Sequence, residues 1–233
     1  MMNDVFNIGH HVHLSGHGRR RPFVPALGFT WLTPVYQRLG VLTQPILRGF
    51  LERADIQPCM AVLDLGCGTG TLALLVKRAQ PTTRVVGLDL DPAVLDVADA
   101  NLTAAGVDVT LHRAGITDAG LEPGSFDRVV TTFVLHHLST EEKRSVLVAC
   151  RRVLRPGGEI HVADLGEPHT RLMRLLSLPL RWFGGERLAA NLSGRIPTLM
   201  RAAGFSTVTH LDANSSPLGT ITHWRGTVPE LTR

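Results

Sequence analysis

The 233-residue chain predicts an α/β fold in which helices cover both faces of a doubly wound, mostly parallel sheet with an antiparallel edge hairpin. Two observations carry this. From residue 60 onward, short β-branched runs alternate with segments of helical period. The strand runs are also apolar nearly throughout, as strands covered on both faces must be.

The strand candidates are 60–65 (MAVLDL), 84–90 (RVVGLDL), 107–112 (VDVTLH), 126–133 (FDRVVTTF) and 158–164 (GEIHVAD). Helices are expected between them at 70–80, 92–105 and 139–154. Pro92 suits a first turn, where its missing N–H costs nothing. Ser139-Thr140-Glu141-Glu142 offers a capping serine followed by acids. A helix near 191–203 and strands near 205–211 and 218–227 complete the domain, the two strands forming the edge hairpin.

Ahead of this core, residues 1–22 show no period and read as a flexible tail. His10, His11, His13 and His17 cluster there, but without acidic or cysteine partners or a scaffold they point to no metal site. Residues 29–56 carry apolar positions at helical spacing, interrupted by Pro34 and Pro45, and predict two short helices that either pad the core or form an N-terminal lid. Residues 23–233 are thus read as one domain: N-terminal helices 29–56, a core at 60–164, an insert at 165–190, and a last helix with edge strands at 191–233.

Composition narrows the setting. At 44% hydrophobic residues the chain can bury a sizeable core. No apolar run approaches the length of a membrane span, and no apolar stretch follows a basic start as in a secretion signal. Cys59, Cys67 and Cys150 are scattered, which suits a reducing cytoplasm. The net charge of +4 and pI near 9.5 come from dispersed arginines, so they describe a solvated surface rather than a nucleic-acid footprint.

The chemistry is concentrated in "VLDLGCGTGTLALLVKRAQP", residues 62–81. Gly66, Gly68 and Gly70 let the chain turn sharply and let a ligand approach the backbone. A dinucleotide would place its pyrophosphate on such a corner. Asp64, two residues before Gly66, would repel it and favour a ligand with an ammonium or sulfonium end. A second acid, Asp89, ends the next strand 19 residues beyond Gly70, where a carboxylate can accept from ribose hydroxyls. Together the acids describe an adenosine-type ligand with a ribose, no phosphates and a positive end. S-adenosylmethionine fits that description and NAD does not.

"VLDLGCGTG", "VVGLDLDPAVL", "GSFDRVVTTFVLHHL" and "CRRVLRPGGEIHVAD" follow one another at family-like spacing. In this order they resemble the class I S-adenosylmethionine-dependent methyltransferases, whose fold is Rossmann-like. The likeness is nearest to the small-molecule branch typified by the ubiquinone/menaquinone methyltransferases, and it covers about residues 55–165. It implies that Asp64 and the backbone of Gly66, Cys67 and Gly68 hold the methionine end of S-adenosylmethionine, and that Asp89 holds the ribose. Leu90 would pack on the adenine, Gly115, Ile116 and Thr117 would lie along the adenine edge, and Thr131 would face the methionine. Many relatives carry an aspartate near position 116. Here Ile116 and Thr117 stand there, and Asp118 comes slightly late.

His136 and His137, just past the fourth strand, are the candidates for a base that deprotonates a hydroxyl or phenol. His161 and Asp164 are weaker candidates at the end of the fifth. The insert is rich in leucine, with Met173, Trp182 and Phe183, and predicts an apolar wall over a small apolar or aromatic acceptor. Arg171, Arg174 and Arg181 could face solvent, an acidic substrate group or a membrane surface. A nucleic-acid methyltransferase would need an aromatic stacking platform after the fourth strand, and "TFVLHHL" lacks one. A cofactor binder that transfers no methyl group would carry the same cofactor motifs.

Overall fold

The computed structural model describes residues 45–178, 185–216 and 219–230. The expected tail, the histidine cluster, the first N-terminal helix with Trp31 and Tyr36, and Arg181, Trp182 and Phe183 lie outside them.

Seven strands form one sheet in the order β3-β2-β1-β4-β5-β7-β6. They are β1 Ala61–Leu65, β2 Arg84–Asp89, β3 Thr110–Arg113, β4 Phe126–Thr132, β5 Leu154–Leu165, β6 Thr207–Ser216 and β7 Gly219–Thr227. The first five run parallel, while β7 lies antiparallel between β5 and β6. The chain reverses its direction of winding between β1 and β4, and this opens a crevice beyond the strands' carboxyl ends.

Side-chain alternation divides the core. Ala61, Leu63 and Leu65 of β1 join Leu147, Cys150 and Val153 of α4 (Thr140–Val153) and Met200 of α7 (Ile196–Ala202) on one face. Val62 faces the other way, toward Phe50 of α1 (residues 45–54), Leu72 and Val76 of α2 (Thr71–Ala79) and Leu188 of α6 (Gly185–Leu192). A smaller cluster joins Leu95, Ala98 and Leu102 of α3 (Pro92–Ala104) to Leu111. Leu63 has 0% exposure, so its truncation to alanine would cost about 2–5 kcal/mol.

The helix starts follow local chemistry. At α3, Asp91 accepts from the Ala93 amide and Pro92 opens the first turn. At α4, Ser139 and Glu142 form a reciprocal capping box. α2 begins at Gly70, whose φ of 76° does without a side-chain cap.

Three boundaries differ from expectation. Residues 107–109 stay outside β3, because the turn through Gly106 uses the Val107 amide to bond Leu102. β5 starts at Leu154, opposite Phe126, but its next partnered residue is Glu159, so Arg155–Gly158 are bulged out of the ladder. The helix expected over 191–203 is two helices, because Gly194 adopts φ 69° and Pro197 opens a new first turn. Within the insert, α5 (Arg171–Leu176) is capped by Thr170 and pinned by buried Met173, while Leu172 and Leu175 are exposed.

Candidate functional site

The crevice begins with the glycine corner, where three glycines answer three different constraints. A Cβ on Gly66 would stand 2.2 Å from Val134 Cγ2, so this residue is small to admit the loop after β4. A Cβ on Gly70 would press on Ala98 and Leu102 of α3 at 3.2–3.3 Å. A Cβ on Gly68 would meet nothing within 4 Å among the described residues, so that side of its backbone borders open space. Both Gly66 and Cys67 amides donate to Leu88 O, and the Gly68 amide donates to Asp89 Oδ2 at 2.9 Å. The corner is therefore tied to the end of β2 before any ligand arrives.

Two acids meet here in unequal conditions. Asp89 also accepts from the Asp91 amide at 3.0 Å, so both its oxygens have donors. Asp64 is 1% exposed, and its Oδ2 has no partner among the described residues. Burial first, and then the charge of Asp89, push its carboxyl up to about 7. Burial also raises Asp89, against the pull of its amide donors. Thr131, opposite Leu65 across the β1–β4 pairing, is buried with its hydroxyl likewise unpartnered.

The far wall is apolar. Leu90 is 54% exposed and stands beside Gly115, Thr117 and Asp118. Asp118 is drawn in by its own turn: its amide donates to Gly115 O, and its carboxylate accepts from the Thr117 hydroxyl. Ile116 points into the core at 1% exposure, so only the backbone of that residue belongs to the wall. Cys67 likewise turns its thiol into the α3 cluster, and burial pushes that thiol well above its ordinary range.

At the other side of the crevice Phe133 takes φ 58°, a left-handed turn that a non-glycine residue adopts only at some cost. It swings the chain off β4, so that Val134 covers Gly66 and a single 3₁₀ turn, Leu135–His137, follows. Asp164, 2% exposed at the end of β5, organises that turn. It accepts from the amides of Leu135 (2.7 Å), His136 (3.3 Å) and Leu165 (2.7 Å), and its Oδ1 lies 2.6 Å from His136 Nδ1. The carboxylate thus orients the ring through Nδ1–H and leaves Nε2 without a hydrogen-bond partner among the described residues. His137 packs against His136 with ring centroids 3.9 Å apart and planes tilted by 45°, and burial, then its neighbour, lower its pKa to about 4.

The buried Lys143 was not anticipated. Its ammonium donates to Leu138 O, directly after the histidine turn, and to Arg187 O of α6. The local signal was compositional: Lys77 and Lys143 are the only two lysines in an arginine-rich chain. His161 lies apart from this crevice, bonded to Glu159 and His223 beneath Phe50.

Residues 62–158 match a family model described as a methyltransferase domain. An uncharacterized methyltransferase of Synechocystis sp. is 31% identical over 194 residues, 81% of this chain and 89% of the relative. The chain belongs to the class I S-adenosylmethionine-dependent methyltransferases. A demethylmenaquinone methyltransferase of Thermus thermophilus is 36% identical over 107 residues, 46% of this chain and 48% of that protein. Among solved structures, a phosphoethanolamine N-methyltransferase of Haemonchus contortus, in complex with phosphomonomethylethanolamine and S-adenosylhomocysteine, superposes with a TM-score of 0.66 at 18% identity. That match covers 80% of this chain and 53% of that one, and it shows the shared fold. Against both of these named enzymes the chain spans about half of their length.

S-adenosylmethionine is the cofactor of this methyltransferase, and the crevice suits it. Around the corner, Asp64 Oδ2 without a partner among the described residues, the backbone of Gly68 and the exposed Leu90 supply polar, close-approach and apolar surfaces.

Proposed function

We propose that the protein transfers a methyl group from S-adenosylmethionine to a small apolar or aromatic acceptor by in-line displacement. When bound, the cofactor supplies an electrophilic methyl group on a sulfonium. In this reading Asp64, Thr131 and the backbone of Gly66, Cys67 and Gly68 hold its methionine end. Asp89 accepts from the ribose, Leu90 packs on the adenine, and Gly115, Ile116 and Thr117 border the adenine edge with the Asp118 carboxylate. The observation that carries the reading is the buried Asp64 Oδ2, which has no partner among the described residues, at the corner where Gly68 is open, since buried polar atoms without partners are rare and costly.

His136 is the base for an acceptor O–H, taking its proton at Nε2 while Asp164 steadies the imidazolium that forms. His137 accompanies it as a neutral ring. The insert supplies an apolar cover that excludes water from the transfer line, and the relatives named for menaquinone and ubiquinone biosynthesis support an aromatic acceptor. The reading includes a single domain, a cytoplasmic location and no nucleic-acid partner. Free Cys59, Cys67 and Cys150 support the reducing location. No described helix is long and apolar enough to cross a membrane.

Calorimetry tests the cofactor half: S-adenosylmethionine and S-adenosylhomocysteine bind and NAD does not. Asp89→Ala weakens binding by roughly 1.5–3 kcal/mol per charged hydrogen bond lost. A screen of phenols and quinols, read by S-adenosylhomocysteine formation, tests the transfer. Cofactor binding without product from any acceptor would favour the non-methylating alternative.

A further inference from the structure

Asp64 and Asp89 end neighbouring strands and face the same corner, yet the fold serves them differently. Gly68 and Asp91 amides point at Asp89. Asp64 Oδ2, in a residue only 1% exposed, receives no donor among the described residues. The groups acting on Asp64 are Asp89 from β2, the Cys67 thiol from the corner and the Ala73 amide from α2. These are an acid, a thiol and an amide, so no cation in that set balances a second negative charge. A buried carboxylate in this position is costly, whereas a carboxylic acid is not.

We propose that Asp64 is a specificity-determining residue that stands as a neutral acid until the cationic methionine end of the cofactor arrives, and then releases its proton to solvent. The proposal rests on the cofactor reading given above. Below neutral pH its carboxylate charge then forms chiefly beside a cation, and ligands without one gain nothing from it. The proton leaves as a buffered proton, the O–H electron pair stays on Asp64, and the ligand's own charge is unchanged. Asp89, with both oxygens bonded, remains the partner that keeps its charge. The upward push on Asp64 to about 7 places the effect near neutrality.

The test is calorimetric titration of the full chain with S-adenosylmethionine between pH 6 and 7, in phosphate and in imidazole buffer, whose ionisation heats differ. This window lies below the titration of the ligand's own α-amino group, about 7.7–8.0 for an unperturbed amine. The expected release is about nine-tenths of a proton per ligand at pH 6 and about half at pH 7, with affinity rising severalfold across the interval. Adenosine, which lacks the cationic end, should bind without proton release and with flat affinity. Asp64→Asn should abolish the release with S-adenosylmethionine, while unchanged adenosine binding confirms that the variant is folded. Equal heats in the two buffers, or the same release with adenosine or with Asp64→Asn, overturns the proposal and leaves the cofactor reading standing. Failure of S-adenosylmethionine to bind at any pH overturns both.

Discussion

His136 and Asp164 are 28 residues apart in sequence and 2.6 Å apart in space, joined Nδ1 to Oδ1 across the mouth between β4 and β5. Because the same carboxylate holds the Leu135 and His136 amides, it sets both the ring's orientation and the path of the turn that bears it. Asp164→Asn should therefore lower kcat for a hydroxyl acceptor about 10²-fold or more, while calorimetry finds cofactor affinity unchanged. Asp164→Ala leaves several buried amides without an acceptor and should cost roughly 3 kcal/mol or more in urea unfolding. A loss of kcat equal to that of His136→Ala in the double variant would show that the two act as a unit.

The glycine corner separates folding from binding. Gly66→Ala collides with Val134 and should destabilise the protein, and Val134→Ala in the same chain should recover part of the loss. Gly68→Ala meets no neighbour among the described residues, so its cost in stability should stay near the 1–2 kcal/mol of a left-handed alanine. It should still weaken S-adenosylmethionine binding sharply, because the added methyl occupies the open face. Thermal melts and calorimetry on the two single variants distinguish these outcomes.

Lys143 joins α4, the histidine turn and α6 through two carbonyls, at 0% exposure. Replacing it with methionine keeps the volume and removes both bonds. Hydrogen exchange should then quicken in 135–138 and 186–191 and stay unchanged in α2. Lys143→Arg should not restore protection, because a planar guanidinium is too large for a site that excludes solvent completely.

Burial, then the neighbouring His161, hold His223 at about 3, well below the 6.5 of an unfolded histidine. Between pH 6.5 and 3 the unfolded chain therefore binds the extra proton. This contribution is fully present above pH 6.5 and is lost as pH falls toward 3, by up to a few kcal/mol. His223→Gln keeps a donor for His161 Nδ1 and should lose less stability than the wild type between pH 6.5 and 4. Parallel urea titrations across that range check it.

What could be read in advance was whatever the chain encodes within one or two turns. Pro92 behind Asp91 and the Ser139–Glu142 box mark helix starts by chemistry that acts over three residues, and those starts hold to within a residue. Asp64 and the glycines form a local pattern too, and Asp89 closes the very next strand, so the corner and the class of ligand were legible together. The rest depends on distant partners. The Arg155–Gly158 bulge shows only in the pairing of β5 with β4, and the Asp164 bond to His136 depends on the two strands ending side by side. Lys143 finds Arg187 44 residues away. Ile116 and Cys67 needed knowledge of which way a loop residue faces, and no periodicity reports that.

The reversal in strand order between β1 and β4 has an evolutionary reading. Everything from Ala61 to Asp118, one uninterrupted stretch, lies on one side of that reversal and builds the corner, the acids and the wall beside Leu90. Everything after Phe126 lies on the other side and supplies Thr131, the histidine turn, Asp164 and the insert. A duplicated gene could diversify its later half toward new acceptors while its earlier half stayed under unchanged selection. The seam for exchanging the two by recombination is the exposed Glu122-Pro123 connection just before β4.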